Sequence, residues 1–306
     1  HGPAGVGPDW PWTSRGLPFL GRDMSVLEVR QPQGAPVPLI LDSPHSGSVY
    51  PETFDHRIDR MTLRRSEDAH VEELFADAPN HGATLLHALF PRCYIDPNRA
   101  ADDIDLGLID GTWPHPVRPT TKTRDRGVGL IWRDMKAFGP VYARKLTVDD
   151  VAARIETCWQ PYHDTLSALI DAAHGNWGQV LHLNCHSMAS MGDRTTEDGA
   201  VARPDFVISD REGRTAAPDI LAAVVDPLKS EGYSVAINDP YKGFELVRKH
   251  GRPAEGRHSV QIEINRALYM DEATLSKTPG FFRVKRTLSG LVAALAETIT
   301  RRAAAG

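Results

Sequence analysis

The sequence predicts an α/β fold built on a mixed, mostly parallel sheet with helices on both faces. Three observations carry it. Short apolar runs rich in Val, Ile and Leu alternate along the chain with longer segments whose apolar residues return at helical spacing. Pro and Gly punctuate the runs. Polar clusters stand at or just past the ends of runs: "SPHSG" (43–47), "DPNR" (96–99) and "NCHSM" (184–188). In open α/β sheets that is where ligands bind.

The elements follow in order. Residues 37–42 read as a buried strand stopped by Pro44. Residues 66–78 read as a helix, with Ala69, Leu74, Phe75 and Ala78 on its apolar side and Asn80 to Gly82 ending it. Residues 84–90 and 93–95 read as strands, broken at Pro91 and stopped at Pro97. The stretch 100–146 is rich in Asp, Gly, Pro and Thr and too long for an ordinary loop. It is expected to form a cover holding short elements. Residues 149–173 form a long amphipathic helix with a break near Pro161. Strands are expected at 180–184, 206–209, 234–238 and 260–264, and helices at 218–230 and 284–302. Residues 1–23, Gly- and Pro-rich without an apolar core, are expected to be a flexible extension or tag, leaving 24–306 as a single domain.

Composition narrows the function. The chain has 306 residues, 41% hydrophobic and 25% charged, an ordinary globular balance. Its formal net charge of −5 gives no basic excess pointing to nucleic acid. No apolar run approaches the roughly 20 residues that span a membrane. The three cysteines are odd in number and form no C-x-x-C pair, which argues against a disulfide scaffold and fits the cytoplasm.

Buried polar groups cost free energy unless paired, so the histidines and carboxylates in these runs are either satisfied structural residues or members of one site. His45 and His186, each read at a strand end, are candidate metal ligands. The residues alone leave the third ligand open: "RRSEDAHVEELF" offers Glu67, Asp68, His70, Glu72 and Glu73, and an acidic first turn is also what a helix dipole favours. Arg99 is suited to gripping a carboxylate with two parallel hydrogen bonds, although an Arg after a strand commonly serves the surface. Glu263 sits in "SVQIEINR", where Val260, Ile262 and Ile264 alternate with Gln261, Glu263 and Asn265. Its face is either solvent or a general base held beside a metal site.

Taken together, "SPHSGSVYP", "SEDAHVEELF", "RCYIDPNR", "WQPYH", "HLNCHSM", "NDPYKGFELVRKHG" and "SVQIEINRALYMDE" occur in an order that resembles the N-formylglutamate amidohydrolases, over residues 37–285. That family is related to the zinc exopeptidase-like hydrolases, including aspartoacylase and the zinc carboxypeptidases. The resemblance implies their three-layer α/β sandwich and one divalent ion, Zn²⁺, held by His45, Asp68 and His186. It implies Glu263 as general base with Arg92 supporting the oxyanion. It places Asn98, Arg99, Lys242, Arg248 and Ser46 against a carboxylate-bearing N-acyl amino acid, N-formyl-L-glutamate, cleaved to formate and glutamate.

The chain departs from the family in having Asn184 where Asp is frequent and Phe244 where Gly is frequent. Ser48, not an acidic residue, stands three places after His45. The first and third bear on ligand assignment, the second on pocket shape. Rival readings are the same chemistry on a bulkier acyl group lined by Trp113 and Trp132, and a metal-stabilised binding protein without turnover. A metal-free serine hydrolase using Ser46 is weaker, because no G-x-S-x-G elbow is present.

Overall fold

Alternation within the two longest strands sets the layers. At the centres of Val180–Met188 and Arg257–Asn265, Leu181, Leu183, Val260, Ile262 and Ile264 alternate with His182, Asn184, His186, Gln261, Glu263 and Asn265. They run parallel, with Leu183 opposite Val260, Asn184 opposite Gln261, Cys185 opposite Ile262 and His186 opposite Glu263. One face of the sheet therefore carries aliphatic rows and the other carries polar rows.

The computed structural model describes residues 25–135, 138–192 and 198–305. Its strands, in chain order, are β1 (Leu27–Arg30), β2 (Leu39–Ser43), β3 (Thr84–Ala88), β4 (Ile109–Asp110), β5 (Leu146–Thr147), β6 (Val180–Met188), β7 (Phe206–Ser209), β8 (Val235–Ile237) and β9 (Arg257–Asn265). Seven of them form one sheet in the order β1-β3-β2-β6-β9-β7-β8, while β4 and β5 pair separately. The β3-β2-β6-β9 and β7-β8 pairings are parallel; β1-β3 and β7-β9 are antiparallel. The fold is α/β with a mixed, mostly parallel sheet.

The helices are α1 (Arg60–Arg64), α2 (Val71–Leu74), α3 (Thr121–Arg126), α4 (Val148–Arg154), α5 (Gln160–Trp177), α6 (Pro218–Ser230), α7 (Glu245–His250) and α8 (Gly280–Ala304). Leu39, Leu41, Leu183, Val260 and Ile262 face a core closed by α2, α6 and α8. The opposite face packs on α4, α5 and residues of the 100–146 cover, through Ile40, Leu86, Leu130, Tyr162 and Leu166. This gives three layers. No helix among the described residues is long and apolar enough to cross a membrane.

Several expectations are corrected. The helix expected over 66–78 shrinks to the single turn of α2, because His70 adopts a left-handed φ of 67° that no continuous helix admits. Residues 93–95 form a turn, not a strand, and the edge strand β1 was not anticipated. The break near Pro161 is a π-helical turn, Ile155–Trp159, inside continuous helix: proline offers no N–H to the carbonyl of Thr157, and the backbone widens just before it. The expected extension, 1–23, lies outside the described residues.

Candidate active site and metal centre

Three parallel strands aim their carboxyl ends at one place. His45 lies two residues beyond β2. Gly47 permits that course: a Cβ there would stand 2.3 Å from the carbonyl oxygen of Phe90 and 2.6 Å from the carbonyl carbon of Leu89. His186 lies within β6, which runs past the expected end at 184, and Glu263 is its register partner on β9. Asp68 comes from the turn before α2, and its amide donates to the carbonyl of His45 at 2.9 Å.

The three expected ligands meet. His45 Nδ1, Asp68 Oδ2 and His186 Nδ1 converge, with candidate ligand atoms all within 4.8 Å of one another and all three residues buried. Asp68 Oδ2 is 3.0 Å from His186 Nδ1 and 3.4 Å from His45 Nδ1. The outer nitrogens are already committed. His45 Nε2 lies 2.6 Å from Asp96 Oδ1 and His186 Nε2 lies 2.8 Å from Asn184 Oδ1, so each donates its proton outward. That tautomer leaves both Nδ1 lone pairs facing a carboxylate, and His45 Nδ1 is buried with no hydrogen-bond partner. Three electron-pair donors in such proximity repel unless a cation sits among them. Imidazole and carboxylate with outward hydrogen bonds are a donor set suited to Zn²⁺.

The surrounding charges hold this arrangement. Burial favours the neutral form of Asp68, yet the imidazoles of His186 and His45 beside it and the charge of Arg92 keep it well below the usual carboxylate range. Its Oδ1 accepts from Arg266 Nη2 at 3.0 Å, leaving Oδ2 for the cluster. Asp96 is likewise held low against its burial, by His45 and by Arg92, whose Nη2 is 3.0 Å from Asp96 Oδ2. Burial lowers His186, which keeps the ring neutral, the form that ligates.

Behind His186 runs a buried relay. Asn184 Oδ1 accepts from His186, and Asn184 Nδ2 donates to Asp42 Oδ1 at 2.7 Å. Asp42 also accepts from His182 Nε2 at 2.8 Å and from Tyr162 Oη at 2.6 Å. Burial pushes Asp42 up, but His182, Tyr162 and Asn184 together hold it below its ordinary value. Asn184, where Asp was expected to be frequent, thus bridges the Asp42 carboxylate to the His186 ring.

Glu263 is not on an edge or a solvent face. β9 lies between β6 and β7, and the carboxyl is buried in the pocket wall, where it accepts from Gln261 Nε2 at 3.0 Å. Burial first, and then the charge of Asp68, push its pKa well above the usual range; Arg92, Arg266 and Arg203 pull against them. A cation in the cluster would pull with the arginines.

His45, Asp68, His186 and Glu263 line a cavity of about 280 Å³ together with Arg92, Asn98, Arg99 and Lys242. Arg99 is buried, its guanidinium 4.4 Å above the Phe244 ring and its Nε donating to Val128 O at 3.2 Å. Asn98 is fixed by Leu246 N, which donates to its Oδ1 at 3.0 Å. Two expected residues stand elsewhere. Arg248 is exposed and pairs with Glu245 at 2.7 Å, outside the cavity lining. Ser46 is buried against Ser43, whose Oγ lies 2.9 Å from its own, also outside that lining, and no histidine is bonded to it. Trp113 packs in the core of the cover, whereas Trp132 lines an adjoining chamber. Sequence reasoning missed Asp42, Asp96, Gln261 and Arg266. Asp96, Gln261 and Arg266 were within reach, since each belongs to a quoted motif.

The geometry can be set beside known proteins. The family model for N-formylglutamate amidohydrolase matches residues 37–270. The chain belongs to that family. An N-formylglutamate deformylase of Pseudomonas putida is 29% identical over 241 residues, covering 77% of this chain and 83% of the relative. One from Pseudomonas aeruginosa is 27% identical over 241 residues with the same coverage. Among solved structures, N-formylglutamate amidohydrolase from Ralstonia eutropha JMP134 is similar at a TM-score of 0.87 and 44% identity, covering 91% of this chain and 99% of the other. Every residue of the cluster and its cavity lies within the part matched by the family model.

Proposed function

We propose that this N-formylglutamate amidohydrolase family member is a metal-dependent hydrolase that cleaves the formyl amide of N-formyl-L-glutamate, giving formate and L-glutamate. The observation that carries the reading is the convergence of His45 Nδ1, Asp68 Oδ2 and His186 Nδ1 in the cavity that also holds Glu263 and Arg99. The family and the names of the relatives supply the substrate.

His45, Asp68 and His186 would hold a divalent ion such as Zn²⁺, which would supply Lewis acidity and make water easier to deprotonate. The chain's own groups do the rest. Glu263, made more basic by its burial, takes a proton from the attacking water and returns it to the departing amine nitrogen. Arg92, its guanidinium fixed by Asp96, lies on the cavity wall where it stabilises the developing oxyanion. Arg99, stacked on Phe244, holds a substrate carboxylate and so aligns the amide. A protein that only bound its ligand would have no use for a carboxyl such as Glu263 in the cavity.

The adjoining chamber lined by Trp132 favours one second reading, the same hydrolysis on a bulkier N-acyl amino acid. A panel of N-formyl-, N-acetyl- and N-benzoyl-glutamate with metal-replete enzyme separates the two. The proposal requires the formyl compound to have the highest kcat/KM; a preference for the benzoyl compound replaces it with the second reading.

A further inference from the structure

The cavity that holds His45, Asp68 and His186 continues into further space along the protein wall. A second chamber of about 340 Å³ adjoins it, and Arg92, Arg99, Lys122, Ser187, Pro240 and Tyr241 belong to the walls of both. Arg65, exposed, and Phe138 and Met191, each about half-exposed, mark the outer mouth.

The charge of this passage is opposite to that of the chain. The whole sequence carries −5. The walls of the two chambers carry eight Lys and Arg side chains against three carboxylates, Asp68, Asp198 and Glu263. Several cations are held by acids: Arg92 by Asp96, Arg203 by Asp198, Arg266 by Asp68 and Lys242 by Glu212. Arg99 has Asp103 at 3.8 Å. Arg65 and Arg126 are different. Among the described residues no carboxylate pairs with either, and Arg65 instead lies 5.7 Å over the Phe138 ring. Neither touches the ligand cluster. Like charges on one wall, with no carboxylate paired to either, attract an anion, and a cleft of one sign focuses that field on what enters.

We propose that the outer chamber is an anion antechamber in which Arg65 and Arg126 select substrates by their number of charges, favouring N-acyl amino acids with two carboxylates over those with one. The inference rests on the hydrolase reading above and adds to it two specificity-determining residues that stand away from the amide. Their contribution is electrostatic. It adds for each charge on the substrate, so its fold-effect on a dianion is the square of its effect on a monoanion. It fades as the Debye length contracts from about 30 Å at 0.01 M salt to about 3 Å at 1 M.

The test compares wild type with the double variant Arg65→Gln/Arg126→Gln. Both side chains lie at the passage wall, and the Arg65 carbonyl that accepts from Arg266 is kept, so the fold is retained. At low salt the variant is expected to raise KM for N-formyl-L-glutamate about tenfold and for N-formyl-L-glutamine about threefold, from point charges roughly 10 Å apart in water. High salt should bring both ratios to within about twofold of one. kcat should hold, because neither residue meets the amide. Calorimetric binding of glutarate and of its monomethyl ester to both proteins repeats the comparison without turnover. Failure of the deformylase reading and failure of the antechamber are thus distinguishable. Equal effects on dianion and monoanion, or a loss that salt does not reduce, would overturn the inference.

Discussion

Replacing Asn184 by leucine removes one link between Asp42 and His186 while keeping the same branched skeleton of side-chain heavy atoms. The link consists of two bonds, His186 Nε2 to Asn184 Oδ1 at 2.8 Å and Asn184 Nδ2 to Asp42 Oδ1 at 2.7 Å. Asn98 cannot take over. Its Nδ2, 3.3 Å from the same ring nitrogen, is a donor facing a donor, and its Oδ1 is occupied by the amide of Leu246. His186 therefore loses the acceptor that fixes its tautomer, and Asp42 loses one of three partners. Loss of such an outer partner lowers metal affinity about 10- to 100-fold, or about 1.4–2.8 kcal/mol. Competition of Zn²⁺ between the protein and a chromophoric chelator measures it directly. Tyr162→Phe is the control, since it takes a different bond from Asp42, the one at 2.6 Å to Oδ2, and leaves Asn184 in place. It should reduce stability by about 1.5–3 kcal/mol, the range for a hydrogen bond to a charged group, with metal affinity changed far less. Equal affinity in wild type and Asn184→Leu would show that the relay serves packing alone.

Glu263→Gln should keep its metal and lose at least about 10²-fold in kcat, the scale of a general base; near-native turnover would make Glu263 a structural residue. Converting the α-carboxylate of the substrate to an amide, and repeating this with the side-chain carboxylate, should at one of the two positions lower kcat/KM by about 10- to 100-fold in wild type and far less in Arg99→Ala. Equal losses at both positions in the two enzymes would assign Arg99 to the fold. His163 is buried, donates to Pro97 O and lies 3.0 Å from Lys249 Nζ; burial and then the Lys249 charge lower its pKa to about 3. The unfolded chain, with histidine near pKa 6.5, binds this proton first, so stability is fully present above about pH 6.5 and falls by up to about 1.4 kcal/mol per pH unit below it. Urea denaturation from about pH 7 to about pH 4 should show a shallower decline in His163→Gln than in wild type, and parallel declines would refute the assignment.

Local chemistry made much of the sheet legible. Helix 218–230 was placed correctly because Pro218 opens it and a regular apolar face runs to Ser230. His45 and His186 stood out because polar residues in apolar runs demand an explanation. The failures arose where tertiary contacts override the local pattern. Helical spacing over 66–78 gave no sign that His70 would turn left-handed, which delays the start of the helix to Val71 and leaves Asp68 in a turn that reaches His45 and His186. Alternation around Glu263 showed that two faces differ but not what covers the polar one. Only the register of β6 against β9, and the cover packed beyond, make that face the inside of a site. Arg248 shows the opposite limit of local pattern. A basic residue in a matched motif turns outward on α7 and pairs with Glu245 in its own helix.

The most direct test of the central claim is Zn²⁺ titration of chelator-stripped protein, with bound metal and hydrolysis of N-formyl-L-glutamate read on the same samples. The account predicts that activity rises in proportion to bound zinc and saturates at one ion per chain, and that His45→Ala abolishes both tight binding and turnover. Full turnover by protein stripped of metal would contradict it.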